Sequence, residues 1–167
     1  LQSNHYQEDD VDMDQEKITA LAIQEFRCLR DALIENGVNV LTYKGEEKCP
    51  DHVFPNWFTT FDDNSIQIFP MMAKNRRLEK TNQMVSGLTN FYKLTADLSF
   101  EELNSRYLES TSSMIFDRVN NRVFATESPR TNKELIIEWC KKNKFELILF
   151  ETESHNGGPI YHTDVLM

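Results

Sequence analysis

Residues 113–150, SMIFDRVNNRVFATESPRTNKELIIEWCKKNKFELILF, decide the fold. Ser113 to Val119 is rich in β-formers, Asn120-Asn121 supplies a turn, and Arg122 to Thr126 reads as the return strand of a hairpin. Pro129-Arg130 opens a loop. Thr131 and Glu134 then stand at the spacing of a capping box. The helix that follows runs to about Asn143, with Leu135, Ile136 and Trp139 as its apolar contacts. Glu146 to Phe150 is again a strand. Hairpin, helix and strand in this order make a ββαβ unit, which is an α/β pattern.

The same order begins upstream. Trp57 to Phe61 and Ser65 to Phe69 form a hairpin around Asp62-Asp63-Asn64, and Pro70 ends it. A helix is predicted from about Thr81 to Tyr92, and Ser99-Phe100-Glu101-Glu102 has the capping pattern of a small one. The two hairpin turns lie about 57 residues apart, the mark of a repeated module. Earlier still, Ile18, Ala22, Phe26, Leu29 and Leu33 recur at helical spacing, Asn36-Gly37 stops that helix, and Val38 to Tyr43 reads as a strand. Residues 1–16 are polar and acidic and read as a solvated arm. Past the second module, Asn156-Gly157-Gly158-Pro159 is a turn and Ile160 to Met167 starts another strand. Repeat units bury their cores against neighbours, and fewer than three complete units are present. Residues 1–167 are therefore expected to be one incomplete domain, part of a longer protein.

Composition narrows the function classes. The 167 residues are 40% hydrophobic and 27% charged, ordinary for a globular protein. Acidic residues outnumber basic ones 27 to 18, for a net charge of -9. That balance argues against nucleic-acid and anionic membrane partners. No apolar run is long enough to span a bilayer, and the first residues carry no basic and apolar leader. Three widely spaced cysteines, Cys28, Cys49 and Cys140, with no CxxC pair, argue against a disulfide framework or zinc ribbon. They point to a reducing compartment, and the cytoplasm is expected. Cys28 and Cys140 read as small core hydrophobes within helices, and Cys49, before Pro50, as a loop residue open to exposure.

Three segments carry the candidate chemistry: Asp51-His52-Val53-Phe54-Pro55-Asn56-Trp57, Leu108-Glu109-Ser110-Thr111-Ser112-Ser113-Met114, and Pro159-Ile160-Tyr161-His162-Thr163-Asp164-Val165. Arg76, Arg77 and Arg130 lie between them. Singly, each has an ordinary explanation: Asp51 as a turn residue, Glu109 as a surface acid, His162 as a satisfied half-buried imidazole, the arginines as solvated charge. Taken together they suit a substrate that is cationic at one end and carboxylic at the other. Carboxylates hold a guanidinium or ureido group through paired hydrogen bonds, Arg grips an α-carboxylate in its fork, and His moves protons near neutral pH.

Five ordered stretches also resemble a family. D-x-VFPN-W-F at Asp51 to Phe58, P-M-x-A-x-NRR-x-E at Pro70 to Glu79 and E-x-T-x-S-M at Glu109 to Met114 are followed by SPRT at Ser128 to Thr131 and PIYHT-D-V at Pro159 to Val165. They resemble the guanidino-group-modifying superfamily of amidinotransferases, arginine deiminases and dimethylarginine dimethylaminohydrolases. Within it they are nearest to the citrulline-utilisation hydrolase-like amidinotransferases. Asn4-His5-Tyr6-Gln7 is similar to the family's N-terminal N-x-[FY]-Q. The resemblance implies an α/β propeller, or pentein, of five ββαβ modules, of which this chain holds roughly half. It implies a hydrolase of non-peptide C–N bonds in a citrulline- or arginine-type amino acid, with no metal and no cofactor, compatible with a homodimer of the intact protein. The implied mechanism pairs a Cys nucleophile with His162 as acid/base and Glu109 as its orienting or substrate-binding partner. Asp51, Phe54, Asn56, Arg77, Arg130 and Asp164 would contact substrate. The family's nucleophile lies near the end of a chain about twice as long, a place that none of Cys28, Cys49 and Cys140 occupies, so these 167 residues alone are expected to be inactive. Glu109-Ser110-Thr111-Ser112 stands where many relatives have a Gly-rich turn, and Asn56 where some carry an acid, which a neutral ureido group tolerates best. The rival readings are a non-catalytic amino-acid-binding protein, an amidinotransferase, and a small acidic α/β interaction domain whose match to these stretches is accidental.

Overall fold

Both predicted hairpins form, and each is completed by a parallel third strand. The computed structural model describes residues 14–155 and 157–167. Two compact units divide the chain, residues 1–44 and 45–167.

In the larger unit, β1 (Phe58–Thr60) pairs antiparallel with β2 (Ser65–Ile68), and β2 pairs in parallel with β3 (Lys93–Asp97). Helices α2 (Lys74–Arg77) and α3 (Asn82–Thr89) lie in the crossover. Downstream of a short helix, α4 (Ser110–Ser113), the pattern repeats. β4 (Ile115–Asp117) is antiparallel to β5 (Arg122–Thr126), helix α5 (Lys133–Asn143) crosses over, and β6 (Glu146–Phe150) runs parallel to β5. Each module is therefore a ββαβ unit with its return strand in the middle. The central strands are the most buried, as the pairing on both sides demands.

Packing joins the modules. Phe69, after β2, shares a core with Met114, Val123, Ile136 and Trp139 of the second module. The Trp139 ring stacks on Phe145 at 5.6 Å and on Phe61 at 6.3 Å. Its Nε1–H donates to Gln67 Oε1 at 2.8 Å, and Gln67 Nε2 donates to Asn143 Oδ1 at 2.7 Å. A polar bridge thus crosses the apolar seam with its donors matched, so burial leaves no charge or dipole stranded. A second cluster, Trp57, Ile66, Ile68, Met71 and Leu88, fills the first module.

Several sequence expectations are corrected. The helix expected to reach Tyr92 ends at Thr89, and β3 follows it, a strand that no pattern announced because Lys93, Thr95 and Asp97 are polar. The cap of α5 is Asn132, whose Oδ1 accepts from Leu135 N at 2.9 Å, and not Thr131, which is fully buried. The strand expected from Ser113 is shorter, because Ser113 closes α4. Ile160 to Met167 is no strand: Thr163–Val165 is a single 3-10 turn. It is tied by the Thr163 hydroxyl, which donates to Ser113 O at 2.8 Å and accepts from Thr126 N at 3.0 Å, in place of a ladder. In the turn before it, Gly157 takes φ +77°, while Asn156 lies outside the described residues.

The smaller unit holds α1 (Gln15–Glu35), capped by Asp14, whose Oδ1 accepts from Glu16 N at 3.0 Å. The helix thus reaches into the stretch read as an arm, and residues 1–13 of that arm lie outside the described residues. Asn36 and Gly37 end the helix, Gly37 with φ +81°. Val38 to Tyr43 forms no strand, since residues 14–44 contain no hairpin to receive it, and a strand without a partner leaves its backbone groups to water. Leu21, Phe26, Leu29 and Leu33 are exposed, and so is Cys28, contrary to its reading as a core residue. Cys140 is buried as expected, and Cys49, read as open to exposure, is buried too. Among the described residues, no helix is long and apolar enough to cross a membrane.

Candidate active site

Glu109 sits where the chain turns sharply between two modules. Leu108 bridges to Thr131, and its N–H donates to Pro70 O at 3.2 Å. Ser110 then adopts a left-handed conformation, φ +47°, without being glycine. Its hydroxyl offsets the strain by donating to Phe58 O at 2.6 Å and by pairing with the Thr59 hydroxyl. This turn swings the Glu109 side chain into the interior, where it is 0% exposed.

Every partner of that carboxylate is a donor. Oε1 accepts from Met72 N at 2.9 Å. Oε2 lies 2.6 Å from His162 Nε2 and 3.3 Å from Arg130 Nη1. Burial works against ionisation, but the hydrogen bond and charge of His162, the charge of Arg130 and the Met72 N–H together hold the Glu109 carboxyl below the usual range. An ionised carboxylate can only accept, so His162 Nε2 carries the proton and Nδ1 is left for exchange. Nδ1 faces Asp164 Oδ1 at 3.9 Å. The imidazole is 4% exposed and packs on the Tyr161 ring, over which Arg130 also lies at 5.2 Å.

The loop from Asp51 to Trp57 is held from below by Arg76. That guanidinium donates to the carbonyls of Asp51 and Phe54 and pairs with Glu79 at 2.9 Å. Desolvation pushes the Glu79 carboxyl up, and Arg76 opposes that shift. Asn56 connects the loop to α4. With its amide oxygen toward Arg76 Nη1 at 3.3 Å, its nitrogen donates to Phe54 O and it meets the Ser112 hydroxyl at 2.9 Å.

The sequence-derived candidates therefore distribute unevenly. Glu109, His162 and Arg130 meet directly, and Asp164 flanks the imidazole. Asp51, buried, and Asn56 belong to the loop tied to α4, and Phe54 stands at its tip, 61% exposed. Arg77 is engaged elsewhere: it donates to Met71 O at 2.9 Å and Met72 O at 3.0 Å and lies over the Tyr107 ring. Met72 is thereby held at both ends, its N–H on Glu109 and its carbonyl on Arg77. Among the described residues none of the three cysteines hydrogen-bonds to Glu109 or His162. The Cys49 thiol donates to Asn75 O at 3.1 Å, and Cys140 belongs to the Trp139 core. Sequence reasoning overlooked Arg76 and Glu79 as a loop support, and Ser113, Thr131 and Thr163 as the hydroxyls behind the site. Their signal was present, since each lies inside one of the five quoted stretches.

A family model described as N,N dimethylarginine dimethylhydrolase, eukaryotic, matches residues 1–167. No curated protein matches the chain. Among solved structures, the N-terminal domain of ArgZ, an arginine dihydrolase from the ornithine-ammonia cycle in Cyanobacteria, was determined as a cysteine-to-serine variant bound to substrate. It matches with a TM-score of 0.61 at 17% identity, over 78% of this chain and 46% of its own. A histidine-to-glycine variant of dimethylarginine dimethylaminohydrolase, in adduct with S-methyl-L-thiocitrulline, gives 0.63 at 19%, over 83% and 53%. Apo ArgZ gives 0.65 at 17%, over 87% and 22%. The chain thus spans about half the length of the first two structures and less of the third. The likeness carries the fold, a part of the α/β propeller built from ββαβ modules.

Proposed function

Because the chain belongs to the eukaryotic N,N dimethylarginine dimethylhydrolase family, we propose that the intact protein hydrolyses a non-peptide C–N bond of a guanidino or ureido amino acid. Arginine and dimethylarginine come first as substrates, and citrulline second. One observation carries this reading: a buried carboxylate, held ionised, that binds both an imidazole and a guanidinium through one oxygen. With Nε2 committed to Glu109, His162 presents Nδ1 as the exchangeable position of a general acid/base.

In the proposed reaction a cysteine thiolate adds to the guanidinium carbon. His162 gives its Nδ1 proton to the departing nitrogen, the C–N bond breaks, and an amine leaves a sulfur-linked adduct. Water then adds to the same carbon while His162 takes its proton. The C–S bond breaks, and the ureido product and the thiolate are regenerated. The thiolate comes from a residue other than Cys28, Cys49 and Cys140. Arg130 is the candidate grip on the substrate carboxylate, and its charge also favours ionised Glu109. Asp51 and Asn56 are the candidate holders of the guanidino group, Phe54 covers it from the loop tip, and Asp164 sets the field at Nδ1. Arg77 acts on the carboxylate end or through the Met71–Met72 strap that it clamps.

The test is turnover by the intact protein on asymmetric dimethylarginine, arginine and citrulline, following dimethylamine or ammonia. Amine release that falls about 10²–10⁴-fold in His162→Ala is the expected result. Binding of all three without product makes it a non-catalytic amino-acid-binding protein. Product formed only when an amine acceptor is supplied makes it an amidinotransferase.

A further inference from the structure

Three separate segments deliver the site: the turn at Glu109, the loop at Arg130 and the 3-10 turn beside His162. All three converge on one residue that the chemistry above does not use. Ser113 is wholly buried. Its hydroxyl accepts from Glu109 N at 2.9 Å and from Thr131 Oγ1 at 2.8 Å, and donates to Arg130 O at 3.0 Å. Its carbonyl accepts from Thr163 Oγ1 at 2.8 Å, one residue beyond His162.

A serine hydroxyl has one proton and two lone pairs, so all of its capacity is used. Two of the hydroxyl's bonds go to backbone atoms of Glu109 and Arg130, whose side chains form the ion pair, and not to those side chains; the third goes to the Thr131 hydroxyl. Their function is to set where Glu109 and Arg130 start, while the Ser113 carbonyl sets where His162 starts. We propose that Ser113 is the positioning residue of the Glu109–His162 pair, fixing the three segments in register so that the carboxylate meets the imidazole. This rests on reading that pair as the acid/base centre. Alanine at this position removes the hydroxyl from Glu109 N, Arg130 O and Thr131 Oγ1 together, so the Glu109 turn and the Arg130 loop are free to shift against the His162 turn, which stays tied to the Ser113 carbonyl. A displacement of about 1 Å is enough to cost about 100-fold in rate where geometry is catalytic.

The experiment is proton NMR of the intact protein, following the far-downfield ring N–H that a short, buried imidazole–carboxylate hydrogen bond produces. The resonance is expected in the wild type and absent in Glu109→Gln. Ser113→Ala should lose it or move it strongly upfield. Thr126→Val removes an equally buried hydroxyl that pairs with Thr152 instead, and should leave it in place. An unchanged resonance in folded Ser113→Ala overturns the proposal. Should that variant fail to fold, Thr163→Val, isosteric but lacking the hydroxyl that donates to Ser113 O and accepts from Thr126 N, is expected to shift the signal the same way, and its failure to do so overturns the proposal equally. No downfield resonance in the wild type overturns the pairing itself. In turnover, kcat should fall about 100-fold in Ser113→Ala, with a smaller rise in KM from the loosened Arg130 loop. The spectra need no catalysis, so they decide the role of Ser113 even where the proposed reaction fails.

Discussion

Glu109 shows how far a residue's environment outweighs its type. In sequence it is one acid among 27 acidic residues, and in the fold it is buried with donors on both oxygens. Its folded carboxyl titrates below the usual value of about 4, so its ionised form stabilises the fold. That contribution is complete above the unfolded-state value and is lost as pH falls from there through the folded value. Glu109→Gln is expected to be less stable than the wild type by about 3–5 kcal/mol near neutral pH, because Arg130 and His162 lose their counter-charge. Urea unfolding at a series of pH values should show the gap narrowing on acidification, and a constant gap would trace the loss to shape alone. The cysteines make the same point. Burial pushes the Cys140 thiol up to about 12, and burial with the charges of Glu79 and Glu46 raises Cys49. Iodoacetamide near neutral pH should therefore modify exposed Cys28 first and leave Cys140 untouched until the protein unfolds. Fast native labelling of Cys140 would contradict its place in the core.

At the scale of elements, backbone strain sits in the turn from Leu108 to Ser113. Ser110 is left-handed, a conformation in which a Cβ costs about 1–2 kcal/mol and glycine costs little. Its hydroxyl compensates through Phe58 O and Thr59, which also docks the turn on β1. Ser110→Ala should lose the hydroxyl and keep the strain, and Ser110→Gly should lose the hydroxyl and relieve it. Thermal melts are expected to place Ala below Gly by about 1–2 kcal/mol, and equal melting points would mean that the turn relaxes to another conformation. The strands divide along similar lines. β1, β2, β4, β5 and β6 were legible from β-formers and turn residues. β3 was not, because its pairing with β2, rather than its own side chains, makes it a strand. Val38 to Tyr43 is the converse, rich in β-formers and yet no strand, since residues 14–44 offer it no neighbour.

The whole molecule is uneven in how firmly it is held. In residues 45–167 two aromatic and aliphatic clusters, a matched polar seam at Gln67 and the hydroxyl hub at Ser113 support one another. In residues 14–44 the helix turns Leu21, Phe26, Leu29 and Leu33 outward. Local stability follows buried apolar contact, so amides of α1 should exchange with deuterium far faster than those of β5 and β6. Equal protection would mean that the helix has cover in solution. The sequence by itself determined the module order, the repeat, and the stretches that hold Asp51, Glu109, Arg130 and His162. Turn chemistry, β-former runs and residue type are local, and local chemistry is written in order along the chain. Only the tertiary structure decided that Glu109 is buried and ionised, that Arg77 clamps the Met71–Met72 strap, and that Ser113 joins three segments. Those facts depend on hydrogen bonds between residues as many as 53 positions apart, and spacing along a sequence carries no direction in space.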